Sequence, residues 1–157
     1  MKNIVLTRVD DRLIHGQVMT AWVKHTECNE IIIVDDNVSK DEFLKKILKE
    51  AAPIGIKIHI YSISEAIKYL FLDDDDKRLM ILVRDPYTIY KLIKHIVNLG
   101  DIIIGGISAR KDRIHLYKNI SASAEERNIL KEVISSGITI KIRIMPDDKG
   151  INVYKYL

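Results

Sequence analysis

Ile4-Val5-Leu6-Thr7-Arg8-Val9-Asp10-Asp11-Arg12-Leu13-Ile14-His15-Gly16-Gln17-Val18 runs from a short apolar segment, through a charged stretch, into a segment of helical period. Ile4 to Leu6 has the length and character of a buried strand. Val18, Ala21 and Trp22 recur three and four apart, which puts them on one helical face with Trp22 as a core anchor. Strand, loop, helix is the opening of a βαβ unit. In an open α/β sheet the loop that follows such a strand lies where ligands bind. Two arginines, two aspartates, a histidine and a glycine fall within nine positions of this loop, Arg8 to Gly16.

The alternation continues along the chain. Glu30 to Val34 reads as a second strand ending in Asp35-Asp36-Asn37. Ser39-Lys40-Asp41-Glu42 has the form of a capping box, and it opens a helix with Phe43, Leu44, Ile47, Leu48 and Ala51 on one side. Pro53 and Gly55 close that helix. Ile56 to Tyr61 is a third strand, and Ser62-Ile63-Ser64-Glu65 caps a short helix through Leu70. Leu79 to Val83 is the fourth strand. Arg84-Asp85-Pro86 leads from it into a helix reaching Asn98, with Ile89, Leu92, Ile93, Ile96 and Val97 inward. Asp101 to Ile104 is the fifth strand, followed by the turn Gly105-Gly106-Ile107-Ser108. Ile114 to Ile120 reads as one strand, Ser123-Ala124-Glu125-Glu126 caps a last long helix, and Ile138 to Ile144 alternates as a final strand stopped by Pro146. The tail beyond has little pattern.

Such an order implies one α/β domain spanning residues 1–157. Its core is an open, mainly parallel twisted sheet with helices on both faces, and an antiparallel strand is allowed for near the C-terminus. The near-continuous apolar strands fit a sheet covered on both sides.

Composition excludes several classes. A hydrophobic content of 47% supports a packed core rather than disorder. The net charge of +3 is mild and the basic residues are scattered, so nucleic acid is not an expected partner. One cysteine, Cys28, permits no internal disulfide and suits a reducing compartment. No stretch approaches the ~20 apolar residues that span a bilayer, and no signal peptide opens the chain. A cytoplasmic protein is expected, reaching any membrane through a partner. Asp73 to Asp76 reads as a solvated loop, since four adjacent acids lack the spacing of a calcium loop. No histidine has a second ligand at metal spacing, so neither metal nor cofactor is expected.

The first loop can hold a phosphoryl group. A helix starting near His15 or Gly16 offers free N–H groups and the positive end of its dipole. Gly16 allows close approach of the backbone. Arg8 and Arg12 can make bidentate bonds to phosphate oxygens, and Gln17 can add an amide. Asp10 or Asp11 can hold one imidazole nitrogen and activate the other. His15 is then a nucleophile that carries a phosphoryl group. Set against this, Arg8–Asp11 and Arg12–Asp10 are also what ordinary loop ion pairs look like. Asp35, Arg84, Gly105 and Gly106 follow parallel strands and should share the rim, the glycines either as a plain turn or packed against the His15 loop.

Arg8-Val9-Asp10-Asp11-Arg12-Leu13-Ile14-His15-Gly16-Gln17-Val18 resembles the signature of the IIB component of the bacterial phosphoenolpyruvate-dependent sugar phosphotransferase system, mannose/fructose/sorbose type. Supporting likeness extends to Trp22, Ile32 to Asp36, Ala51-Ala52-Pro53, Gly105-Gly106, Gly137-Ile138 and Pro146. It departs at Ile103-Ile104, where the family usually has asparagine and valine, and at Arg84-Asp85-Pro86. The resemblance implies that His15 receives a phosphoryl group at Nδ1 from a phosphohistidine of a IIA protein or domain. It implies onward transfer to a sugar entering through membrane components IIC and IID, at the inner face of the membrane. It places Arg8, Asp10, Arg12 and Gln17 in the active loop. It also implies a lone IIB domain with no IIA fused ahead of it; a homodimer is allowed for.

Other readings fit less well. A dinucleotide-binding domain lacks its glycine-rich turn after the first strand. A receiver domain would want an aspartate where Tyr61 closes strand three. A phosphoglycerate-mutase-like phosphohistidine enzyme shares the His-Gly pair but lacks a second histidine in context. A non-catalytic regulatory or binding module of IIB descent would not need His15.

Overall fold

The structure, a computed structural model, describes all residues 1–157. Along the chain come β1 (Asn3–Asp10), α1 (Gly16–Thr26), β2 (Glu30–Val34), α2 (Glu42–Glu50), β3 (Lys57–Tyr61), α3 (Ile63–Leu70), β4 (Arg78–Val83) and α4 (Pro86–Ile93). They are followed by β5 (Asp101–Gly106), β6 (Arg113–Tyr117), β7 (Ile120–Ser123), α5 (Ala124–Ser135), β8 (Ile140–Ile142) and β9 (Ile151–Asn152). Seven strands form one sheet in the order β3-β2-β4-β1-β5-β8-β9, parallel except for β9. β6 and β7 form a separate antiparallel hairpin.

Alternation along each strand sorts side chains onto two faces. Leu6, Ile31, Ile33, Met80, Leu82 and Ile103 pack with Met19 and Trp22 of α1 and Leu48 of α2. Val9, Ile32, Leu79, Ile81, Ile104, Ile140 and Ile142 pack with α3, α4 and α5 on the other side. β1 sits between β4 and β5 in mid-sheet, buried on both faces, so its carboxyl end is a fixed platform.

Several elements differ from their sequence pattern, each for a local reason. The cap of α2 is Asp41, whose carboxylate accepts from the Leu44 N–H; Ser39 lies in a 3-10 turn over Val38–Lys40 and its hydroxyl bonds the Asp36 carbonyl. Phe43, placed inward by its spacing, is 76% exposed. α4 stops at Ile93 rather than near Asn98. Beyond it the chain leaves the helical period, so Ile96 is buried while Val97 is 96% exposed. The single strand expected from Ile114 to Ile120 is broken by a turn at Lys118, which has φ of 42°, and becomes the β6–β7 hairpin. Gly105 and Gly106 are not a turn but the last two residues of β5. β8 covers only Ile140–Ile142, and the patternless tail supplies β9.

Candidate active site

Leu6, Arg8 and Asp10 alternate onto the α1 face of β1, which delivers Arg8 and Asp10 beneath the loop that carries His15. Arg8 is fully enclosed. Its Nη1 donates to the main-chain carbonyls of Arg143 and Ile144, both at 3.2 Å, and its Nη2 donates to Asp10 Oδ2 at 3.1 Å. Arg8 and Arg143 both lie against the Trp22 ring, their guanidinium carbons 5.3 and 5.4 Å from its centroid. The Trp22 indole N–H donates to the Ile144 carbonyl at 2.9 Å.

Asp10, also fully buried, is the hub. Besides Arg8, it accepts the Arg12 main-chain N–H and Nε at Oδ1, 3.1 and 2.9 Å, and Arg12 Nη2 at Oδ2, 2.8 Å. Burial alone would raise its pKa, but the Arg12 bonds and the Arg8 charge outweigh it and hold the carboxyl below its ordinary value. Burial lowers the Arg8 pKa, opposed by Asp10. The Arg12 pKa is raised, chiefly by its bond to Asp10. Asp11 has a different task. Its carboxylate accepts the Ser108 N–H at 2.8 Å and hydroxyl at 2.9 Å, with Arg113 Nη1 at 3.5 Å, and so ties this loop to the one after β5.

His15 is the N-cap residue of α1, extended at φ −149° and ψ 117°, and no side chain caps that helix. The other four α-helices are capped by Asp41, Ser62, Asp85 and Ser123. The first-turn N–H groups of α1 therefore lack a side-chain cap beside the imidazole, an arrangement chemically suited to an anion. The His15 Nδ1 lies 2.9 Å from the Leu13 carbonyl, which can only accept, so Nδ1 bears the proton in this rotamer. Nε2 has no hydrogen-bond partner and lies 3.7 Å from Asp10 Oδ2. Two residues of the loop have left-handed backbone, Leu13 with φ 57° and Gly16 with φ 44°. A side chain at Gly16 would meet nothing within 4 Å, so it is this φ, rather than close packing, that calls for glycine there.

The sequence-derived residues thus mostly converge, with corrections. Arg8 is fully enclosed, its guanidinium turned to Asp10 and the Arg143 and Ile144 carbonyls rather than to the open face of the loop. The loop pairs are Arg8–Asp10 and Arg12–Asp10, not Arg8–Asp11. Arg12 is partly exposed, and Gln17 stands free in the first turn of α1. Gly105 and Gly106 pack against the loop. A methyl on Gly105 would fall inside the Arg8 guanidinium, and one on Gly106 would lie 3.1 Å from Arg12 Nη2 and 3.3 Å from Asp10 Oδ1. Asp35 and Arg84 pair with each other at 2.8 and 3.0 Å. The remaining histidines have other surroundings: His59 faces Glu30 and Tyr61, His115 the Lys118 carbonyl, and His25 the Trp22 ring. Arg143 and Arg113 went unmarked by any motif; the only hint of Arg143 was its place at the end of an alternating strand.

Relatives share this architecture. The family described as "PTS system sorbose subfamily IIB component" matches residues 4–157. The chain is 31% identical to the sorbose-specific EIIB component of Klebsiella pneumoniae, covering 96% of this chain and 92% of that protein. It is 30% identical to the fructose-specific EIIB component of Bacillus subtilis, covering 94% and 91%. The solved IIB domain of the Klebsiella pneumoniae sorbose permease superposes with a TM-score of 0.93 at 29% identity, over 98% of this chain and 95% of that one. By sequence over nearly its whole length, and by fold, this chain belongs to the sorbose subfamily of IIB components of the sugar phosphotransferase system.

Proposed function

We propose that His15 is the phosphoryl carrier of this IIB component: it accepts the group from a phosphohistidine on a IIA protein and passes it to a sugar held by the membrane components IIC and IID. The observation that carries the reading is the pairing of His15 with the one uncapped helix N-terminus, above a buried Asp10 that is held ionised by two arginines. IIB components work with IIA and membrane partners, and no helix here is long and apolar enough to cross a membrane. Contact with the inner face of the membrane then comes through IIC and IID. The relatives named for sorbose and fructose make a hexose the expected acceptor.

The geometry supports a tautomer exchange. As found, Nδ1 donates its proton to the Leu13 carbonyl and the free Nε2 is shielded. Turning the ring breaks the Leu13 bond and brings Nε2 to the Asp10 carboxylate, 3.7 Å away at rest. Asp10 favours the tautomer protonated at Nε2, which leaves the lone pair on Nδ1 to attack phosphorus. The bond to the donor histidine breaks as the new N–P bond forms. The equatorial oxygens meet the first-turn N–H groups of α1, the Gln17 amide and the open side of Arg12. The reverse geometry serves delivery to the sugar hydroxyl. No group of this mechanism requires a cofactor.

Incubation with phosphoenolpyruvate, the general phosphotransferase proteins and a IIA partner tests the reading. An acid-labile label on the wild type, absent from His15→Ala, is expected. Label persisting in that variant removes His15 from the role.

A further inference from the structure

The α1 side of the sheet is only partly roofed. Its apolar cluster ends at Ile103 on β5 and takes nothing from β8. Ile140 and Ile142 turn to the opposite core, so Lys141 between them projects onto the bare side, in register with Ile103. The Lys141 stem runs over Gly150, where an added methyl would lie 3.0 Å from its Cδ. Here a cavity of about 690 Å³ opens, and His15 is not part of it. Its floor includes Leu6 and Ile103, and its chemistry comes from Trp22, His25, Arg78, Asp101, Lys141 and Arg143.

None of the charged side chains among these is ion-paired with another. Arg78 gives Nε and Nη2 to the Thr26 carbonyl at 3.1 and 2.8 Å and keeps Nη1 free. Arg143 gives Nε to the Asp148 carbonyl and Nη2 to that of Pro146. The Lys141 ammonium, the His25 imidazole and the Asp101 carboxylate make no side-chain hydrogen bond. Three permanent cations against one carboxylate leave two positive charges in excess, which matches a phosphate monoester near neutral pH. The volume is that of small-molecule sites, and Asp101 with Thr139 offers partners for hydroxyl groups. We propose that this cavity binds a small polyhydroxylated phosphate monoester, with Lys141 on the phosphate and Asp101, on the adjacent strand, accepting from hydroxyls.

The cavity shares a wall with the His15 site. Trp22 lines it, and the Ile144 carbonyl that accepts the indole N–H also accepts Arg8, which holds Asp10. Trp22 is the only tryptophan of the chain, so its fluorescence reports on this shared wall, and the His15→Ala arm separates the two sites. The proposal does not rest on the function given to His15.

The full chain is titrated with a hexose 6-phosphate at constant ionic strength, followed by Trp22 fluorescence and, in parallel, by titration calorimetry. Parallel arms use inorganic phosphate and the unphosphorylated hexose. Saturable binding of the hexose phosphate is expected, at least tenfold tighter than inorganic phosphate, with none for the free hexose. His15→Ala should bind equally well. Lys141→Ala and Lys141→Gln should each weaken binding at least tenfold with unchanged urea midpoints. Absence of binding in both readouts, loss in His15→Ala, or retention in both Lys141 variants would overturn the proposal. Equal affinity for inorganic phosphate would overturn the polyol class and the role of Asp101.

Discussion

Gly105→Ala tests how the buried charges under His15 are held. Gly105 does not have left-handed backbone, and at such a position alanine usually stabilises by about 0.4–1 kcal/mol through the unfolded chain. Here the opposite sign is expected. The added methyl would fall inside the Arg8 guanidinium, 2.5 Å from Nη1, and both Arg8 and Asp10 are fully enclosed. Displacing Arg8 breaks its bonds to the Arg143 and Ile144 carbonyls and to Asp10, and strands charge in the core. Breaking a buried pair of this kind costs about 3–5 kcal/mol. Urea unfolding followed by Trp22 fluorescence measures it. In an Arg8→Ala background the methyl has nothing to strike, so its extra cost should fall below about 1 kcal/mol, a coupling outside ordinary additivity. A neutral or stabilising Gly105→Ala, or additivity of the two changes, would refute the reasoning.

Other outcomes follow from the same contacts. Asp11→Ala frees the exposed Ser108 N–H to water and should cost about 0.5–1.5 kcal/mol, with faster amide exchange at Ser108; unchanged exchange would show that the two loops are not tied through Asp11. Arg12→Ala should slow phosphoryl transfer at least tenfold, about 1.4 kcal/mol of barrier, while the fold survives; an unchanged rate removes Arg12 from the site. Asp10, Asp35 and Glu126 are all held below their ordinary pKa: in each, burial acts upward and is outweighed, by Arg12 and Arg8, by Arg84, and by Arg113 respectively. The unfolded chain therefore binds more protons than the folded one in acid. The stabilisation is complete above the unfolded values of about 4 and is lost as pH falls through the folded ones. Urea midpoints flat from neutral pH down to strong acid would contradict this.

Much of the sheet was legible because β2, β4 and β5 are unbroken apolar runs, and His15 was legible because its loop concentrates charge between a strand and a helix. What escaped the sequence depended on contacts between distant segments. Asp10 and Asp11 are neighbours of one type, and only β-strand alternation under Trp22 separates the hub from the loop tie. Arg8 looked like a phosphate ligand because sequence does not show that Gly105 leaves room for a guanidinium to be buried. The β6–β7 hairpin was hidden since its turn residue, Lys118, adopts left-handed backbone without being glycine or asparagine. Val97 and Phe43 fit a helical period, but the α4 helix ends early and α2 leaves Phe43 on its flank.

The bonds from Arg8 to the carbonyls of Arg143 and Ile144 span 135 and 136 residues of chain. They give the molecule an order of birth. Arg8 is made well before the two carbonyls that accept from its Nη1. Until β8 is laid beside β5, residues 1–106 can stack β1 between β4 and β5 only with Arg8 Nη1 unmet beneath the His15 loop. A chain interrupted before residue 143 should thus retain helices but leave Arg8, and the Asp10 it holds, unset beneath the His15 loop.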